Sequence, residues 1–135
     1  SPLADMHFDI QQIPLDAESV DVVICNHILE HVEDDRKAMR ELYRVLSHGG
    51  WAVMLVPEDR SRATTFEDDT ITDAKERTRL FGQYDHRRVY GRDYDLRLAE
   101  AGFVVERIAV SDLLSPEERR RHAVGNDDLV VVHKL

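Results

Sequence analysis

The sequence predicts an α/β domain built on a mostly parallel sheet. Two apolar runs rich in β-branched residues, "DVVIC" (Asp21 to Cys25) and "WAVMLVP" (Trp51 to Pro57), show no polar alternation. Strands covered on both faces read this way, which makes the first run a central strand of a parallel sheet. Between them Ala38, Met39, Leu42, Tyr43, Val45 and Leu46 recur at helical spacing. Strand, helix, strand is a βαβ unit, and its crossover is expected to be right-handed.

Each element carries its own punctuation. Asp34, in the acidic turn "EDD", is placed to cap the helix N-terminus. Gly49 and Gly50 are expected to stop that helix, and Pro57, which has no N–H for a ladder, ends the second strand. From Glu58 to Tyr90 the pattern loosens into an acidic loop, a helix over about Thr72 to Leu80, and the stretch "FGQYDHRRVYG" (Phe81 to Gly91). A connection this long inside a compact domain is usually functional or mobile. Tyr94, Leu98 and Ala101 predict a short amphipathic helix, ended by Gly102 before the strand "FVVERIAV". "SPEERRRH" starts another helix, with Ser115 as N-cap, Pro116 at the first helical position and Glu118 completing a capping box. Arg119, Arg120 and Arg121 then form a solvated last turn that complements the helix dipole. "DLVVVHKL" closes the chain as a strand.

Composition bounds the function. With 135 residues, 42% hydrophobic and 33% charged, the chain reads as a single domain over 1–135 with a real core. A formal charge of −9, from 27 acids against 18 bases, repels phosphate backbones and makes nucleic acid an unexpected partner. Cys25 is the single cysteine, so neither an intramolecular disulfide nor a Cys-rich zinc site is available. No window has the length and apolarity of a membrane span, and no basic-then-apolar leader opens the sequence, so a cytoplasmic location is expected. The first residue is Ser1 rather than Met, which suggests a processed chain or one cut from something longer.

The stretch "FDIQQIPLDAESVDVVICNHILEHVEDDRKAMRELYRVLSHGGWAVMLVP" resembles the middle of a class I S-adenosylmethionine-dependent methyltransferase, of the methyltransferase type 11-like group. In that group a strand ending D-x-V-x-x-x-H-x-L-E-H precedes a helix and an R-V-L-x-x-G-G turn. "RLFGQYDHRRVYGRDYDLRLAEAGFVVE" is similar to the C-terminal part of a bacterial subset. The resemblance implies a Rossmann-like fold with an antiparallel C-terminal strand, and S-adenosylmethionine as cofactor. It also exposes a gap. The family opens with an E/D-x-G-x-G-x-G turn that lets backbone approach the cofactor, whereas these residues hold six glycines and no G-x-G. The expectation is therefore a partial fold, its N-terminal βα units missing, that binds cofactor weakly or not at all.

The resemblance places Asp9 at the end of the family's third strand, as acceptor for the adenine amino group, with Ile10 against the adenine ring; a plain loop aspartate is an equal alternative. Cys25, Asn26 and His27 fall where the next strand ends, at the carboxyl edge where open α/β sheets put ligands. Tyr84, Asp85, Arg88 and Tyr90 are the expected substrate contacts, and His86 the expected base, since an imidazole titrates near working pH. The "HILEH" spacing of His27 and His31 also matches an inverted zinc-peptidase pair. That site needs a long helix, and here a strand ends at Cys25, so no metal is expected and Glu30 and His31 are read as orienting the loop. The methyl acceptor is not legible. An unpaired edge on the "DVVICN" strand predicts a homo-oligomer, and the alternative to an enzyme is a non-catalytic dimerisation module.

Overall fold

The computed structural model describes residues 3–135; the chain start at Ser1 lies outside the described residues. β1 (Val20–Asn26), α1 (Asp35–Val45) and β2 (Leu46–Leu55) form the expected βαβ unit. β3 (Phe66–Glu67), α2 (Ala74–Phe81) and β4 (Arg88–Val89) fill the long connection, and α3 (Tyr94–Glu100) follows. β5 (Val104–Ile108), α4 (Val110–Leu113), α5 (Pro116–Arg121) and β6 (Leu129–His133) complete the chain. The main sheet has the order β1-β2-β6-β5. β1 pairs parallel with β2, while β6 runs antiparallel to both β2 and β5. Three strands therefore share one direction and the C-terminal strand opposes them. β3 and β4 make a separate two-stranded ladder, Phe66 opposite Val89. No described helix is long and apolar enough to cross a membrane.

Local chemistry explains the helix starts. The Asp34 side chain accepts from the Lys37 N–H at 2.9 Å and caps α1, and Ser115 with Glu118 forms the full capping box of α5. Two expectations need correction. Leu46 is not the last helical residue but an extended C-cap that already opens β2. Gly49 and Gly50 accordingly lie inside β2, at an irregularity where the register jumps between Val20↔Leu46 and Val22↔Trp51. A side chain at Gly50 would stand 2.8 Å from the Ser47 carbonyl and 2.9 Å from the Asp21 carbonyl, so this backbone approach needs glycine.

β1 is not covered on both faces. Val23 and Cys25 point into the core, but Val22 and Ile24 are 44% and 57% exposed. By register Trp51 and Val104 share that open face, at 40% and 47%. The strand sits at the sheet edge because, among the described residues, it pairs with β2 alone. Likewise no strand forms around Asp9: residues 3–19 are turns and loop. They are docked on α1 through Arg44, which donates to the Ile13 and Leu15 carbonyls at 2.9 Å and to Glu41. Glu41 in turn accepts from the Ile13 N–H.

The other face holds the core. Ala38, Met39, Leu42 and Val45 of α1 pack with Cys25, Ala52, Met54, Val130 and Val132 of the sheet and with Tyr94 and Leu98 of α3. A buried ionic network closes one end. Asp35, 4% exposed, meets Arg97 Nη1 at 2.8 Å and the Tyr90 hydroxyl at 2.8 Å. Arg97 also reaches Glu67 at 3.2 Å, and Glu67 is bonded to Arg88. Arg88 further donates to the carbonyls of Leu29 at 2.6 Å, Val32 at 2.7 Å and Glu33 at 3.0 Å. Buried Asp35, Arg88 and Arg97 are thus neutralised with the help of Glu67, which reaches them from the more exposed rim. Burial, then the Asp35 charge, pushes the Tyr90 phenol well above its ordinary pKa, so it stays a donor.

Two outcomes follow from this packing. Asp35→Asn leaves two buried guanidiniums facing one carboxylate and is expected to lower unfolding stability by about 3 kcal/mol in urea titration, since breaking a buried pair costs more than forming it gains. Cys25 is 2% exposed, and burial, then the charge of Glu30, raises its thiol to about 12. A thiol reagent at pH 8 should leave it unmodified in the folded protein and react fully in denaturant; rapid labelling of the folded chain would contradict this burial.

Candidate functional site

The carboxyl end of β1 leads into an abrupt backbone turn. His27 has φ +53°, a left-handed conformation uncommon for a side-chain-bearing residue, held by its N–H donating to the Leu55 carbonyl at 2.8 Å. Such strain gathers at functional positions. Asn26 and His27 are both exposed, while Cys25 beneath them is buried. Beside them opens a cleft of about 720 Å³, lined among others by His27, Leu55, Pro57, Glu58, Arg107 and Asn126. It lies at the carboxyl ends of the three co-directional strands, where ligands bind in open α/β sheets. Arg107 crosses it, bridging Glu58 at 2.8 Å and Asp95 at 2.6 Å. Sequence reading missed Glu58, Arg107 and Asn126. The strand-end rule, applied to β2 and β5, would have found the first two; Asn126 arrives from a distant loop with no local signal.

A second group forms where the 27–33 turn meets the 81–91 stretch. Glu30 is 1% exposed, and neither of its carboxylate oxygens accepts a hydrogen bond. Three imidazoles approach it. His27 Nδ1 is 3.4 Å and His31 Nε2 3.9 Å from Glu30 Oε1. His86 packs edge-on to His31 with ring centroids 4.7 Å apart. His86 is 6% exposed, and its Nδ1 lies 3.0 Å from the Phe81 carbonyl. His31 Nδ1 is 3.4 Å from both the carbonyl and the carboxylate of Asp85. Arg77 of α2 fixes the loop, donating to the carbonyls of Ile71 at 2.7 Å, Tyr84 at 2.8 Å and His86. The Arg87 N–H joins the two segments through the Glu30 carbonyl at 2.7 Å.

The remaining expected residues separate into different environments. Asp9 is exposed and accepts from the Gln11 N–H at 2.8 Å and from its side-chain amide; these bonds hold its carboxyl below the ordinary range. The Gln11 side-chain oxygen Oε1 accepts from the Asp34 N–H, so Asp9 belongs to the α1 N-terminus, and Ile10 packs on the core. Tyr84 is 65% exposed and Asp85 is half-exposed, both open to a ligand. Arg88 and Tyr90, expected to touch substrate, are instead buried in the Asp35 network with their donors already committed. The turn at 27–33 is not a helix, so His27 and His31 do not form the helical pair of a zinc peptidase.

Residues 3–54 match the family described as "Methyltransferase domain". Arsenite methyltransferase of Mus musculus is 28% identical over 120 residues, covering 84% of this chain and 28% of that protein. An uncharacterised 37.1 kDa protein of transposon TN4556 from Streptomyces fradiae is 32% identical over 97 residues, 72% of this chain and again 28% of the relative. The chain thus spans little more than a quarter of these curated relatives. In structure it resembles an S-adenosylmethionine-dependent methyltransferase from Mesorhizobium loti, with a TM-score of 0.57 at 18% identity, covering 94% of this chain and 67% of that one. It also resembles a phosphoethanolamine N-methyltransferase from Haemonchus contortus solved with S-adenosylhomocysteine, with a TM-score of 0.54 at 13% identity, covering 93% and 36%. Residues 3–54 thus carry the methyltransferase-domain pattern, and the chain has the fold of the S-adenosylmethionine-dependent methyltransferases it resembles.

Proposed function

We propose that this chain serves methyl transfer from S-adenosylmethionine to a small-molecule acceptor, and that its 135 residues supply the strand-end and acceptor side of the site. The observation that carries this is the left-handed turn at His27, which exposes Asn26 and His27 beside the cleft at the carboxyl edge. These residues fit the reacting end of the cofactor: an exposed amide and imidazole stand over a buried, protonated Cys25 that brings no competing nucleophile. The cradle for the methionine group is a different matter, because the glycine turn that lets backbone come close is not among these residues. When bound, the cofactor supplies an electrophilic methyl on a sulfonium, displaced in line by the acceptor. The protein's tasks are then orientation and exclusion of water.

The base role expected of His86 passes to His27 in this reading. His27 lines the cleft, whereas His86 does not and is buried with Nδ1 committed to the Phe81 carbonyl. An imidazole with solvent access takes a proton from an acceptor hydroxyl, amine or thiol near neutral pH. Tyr84 and Asp85 extend from the neighbouring loop as acceptor contacts. The acceptor named for the mouse relative is not carried over, since a soft metalloid favours several thiolates and Cys25 is buried.

Isothermal titration with S-adenosylmethionine and S-adenosylhomocysteine tests the reading. Saturable binding near 1 mM, about 4 kcal/mol, is expected, and weakening by Asn26→Ala with His27→Ala. Absence of heat at millimolar protein would remove the enzyme reading for these residues. A second reading, self-association, is favoured by the free edge of β1 and the open face of Val22, Ile24, Trp51 and Val104. Light scattering should give at least a dimer mass at micromolar concentration, and a monodisperse monomer would rule it out.

A further inference from the structure

The cluster around Glu30 is absorbed by neither the cofactor reading nor the fold. Its carboxylate is 1% exposed and neither oxygen receives a hydrogen bond. A buried carboxylate left this way costs several kcal/mol unless a cation or a proton meets it. Exposed His27 brings Nδ1 to 3.4 Å of Oε1 without forming a hydrogen bond, and the other two imidazoles do not supply a donor. His86 Nδ1 faces the Phe81 carbonyl, which can only accept, so the hydrogen sits on Nδ1 and Nε2 keeps its lone pair. His31 Nδ1 faces the carbonyl and carboxylate of Asp85, two more acceptors, so its hydrogen is also on Nδ1. Its Nε2 lone pair then points toward Glu30 Oε1 at 3.9 Å. One donor atom of the carboxylate and one from each of these two imidazoles therefore lie near one another.

We propose that Glu30, His31 and His86 bind a divalent transition-metal ion of the zinc class. One donor atom from each lies within 4.8 Å of the others. Ligands at about 2.0–2.1 Å around a tetrahedral ion sit roughly 3.4 Å apart, so the ion draws this set in by an ångström or so. Two imidazoles and one carboxylate are a zinc-type donor set that leaves a fourth position to water. The Phe81 and Asp85 acceptors behind the two Nδ1 atoms are the outer partners that fix the tautomer of metal-binding histidines. His31, about one-third exposed at its side chain, provides the way in. This differs from the zinc-peptidase reading of "HILEH". The third ligand is not its first histidine but His86, brought from 55 positions along the chain by Arg77 and the Arg87 N–H. Nor does the inference require that the chain bind S-adenosylmethionine.

The test is titration of the metal-stripped chain with zinc chloride by calorimetry, and with cobalt chloride by visible absorption. One equivalent is expected to bind, to raise the melting temperature and to be reversed by chelator. Cobalt should give the intense visible bands of a tetrahedral nitrogen and oxygen site. Glu30→Gln and His86→Gln are each expected to weaken binding at least ~100-fold, whereas His122→Gln, at the exposed C-cap that follows α5, should bind like the parent. If either site variant fails to fold, the parent alone decides through cobalt absorption and chelator-reversible stabilisation. No saturable zinc binding by the parent would overturn the proposal. So would binding unchanged by Glu30→Gln, the behaviour of surface histidines.

Discussion

The buried carboxylate of Asp35 is the constraint around which the rest of this molecule is arranged. It sits in the first turn of α1, where the helix dipole already favours negative charge. There it collects Arg97 from α3 and the Tyr90 hydroxyl from the end of the β4 segment. Through Arg97 it is joined to Glu67 of β3, and through Glu67 to Arg88 of β4. One charge, which cannot remain unpaired out of water, thereby links two helices, a small ladder and a turn. Arg88 extends this to the backbone of residues 29–33, whose carbonyls have no helix or strand to receive them.

That turn carries the chemistry, so the ionic network and the candidate site are mechanically one unit. Glu30 and His31 stand where they do because Arg88 holds the carbonyls on either side of them. His86 meets them because Arg77 and Arg87 fasten the opposite loop. The same turn begins at His27, whose positive φ swings the chain off the end of β1 and leaves the imidazole at the cleft. The site is supported from the α1 side, not from the side where Val22 and Ile24 meet solvent.

Much of the architecture was legible in the chain. The strand–helix–strand unit, the Asp34 cap and the Ser115 capping box rest on local periodicity and side-chain chemistry, while the opposing direction of the C-terminal strand came from the family resemblance. The errors have physical causes. "DVVIC" looked covered on both faces because apolar β-branched residues read alike whether or not a neighbour arrives to cover them. Gly49 and Gly50 looked like a helix stop because glycine signals a break in either a helix or a strand. A strand at Asp9 requires a partner strand, and none of the described residues provides one.

Arg88 and Tyr90 were read as substrate contacts because a polar residue in a long loop shows its functional groups and not its neighbours. Only the fold revealed that Asp35 and three backbone carbonyls had already claimed them. The imidazole cluster shows the same division. The spacing of His27 and His31 was in the sequence, but His86 joins them across 55 residues through contacts that no periodicity records. What the sequence determined by itself was the strand–helix–strand unit, the principal helices with their caps and the resemblance to the family, because those depend on residues adjacent along the chain. Which charges are buried, which face is open and which side chains converge on Glu30 were decided by tertiary structure, because desolvation and long-range pairing exist only once the chain has closed on itself.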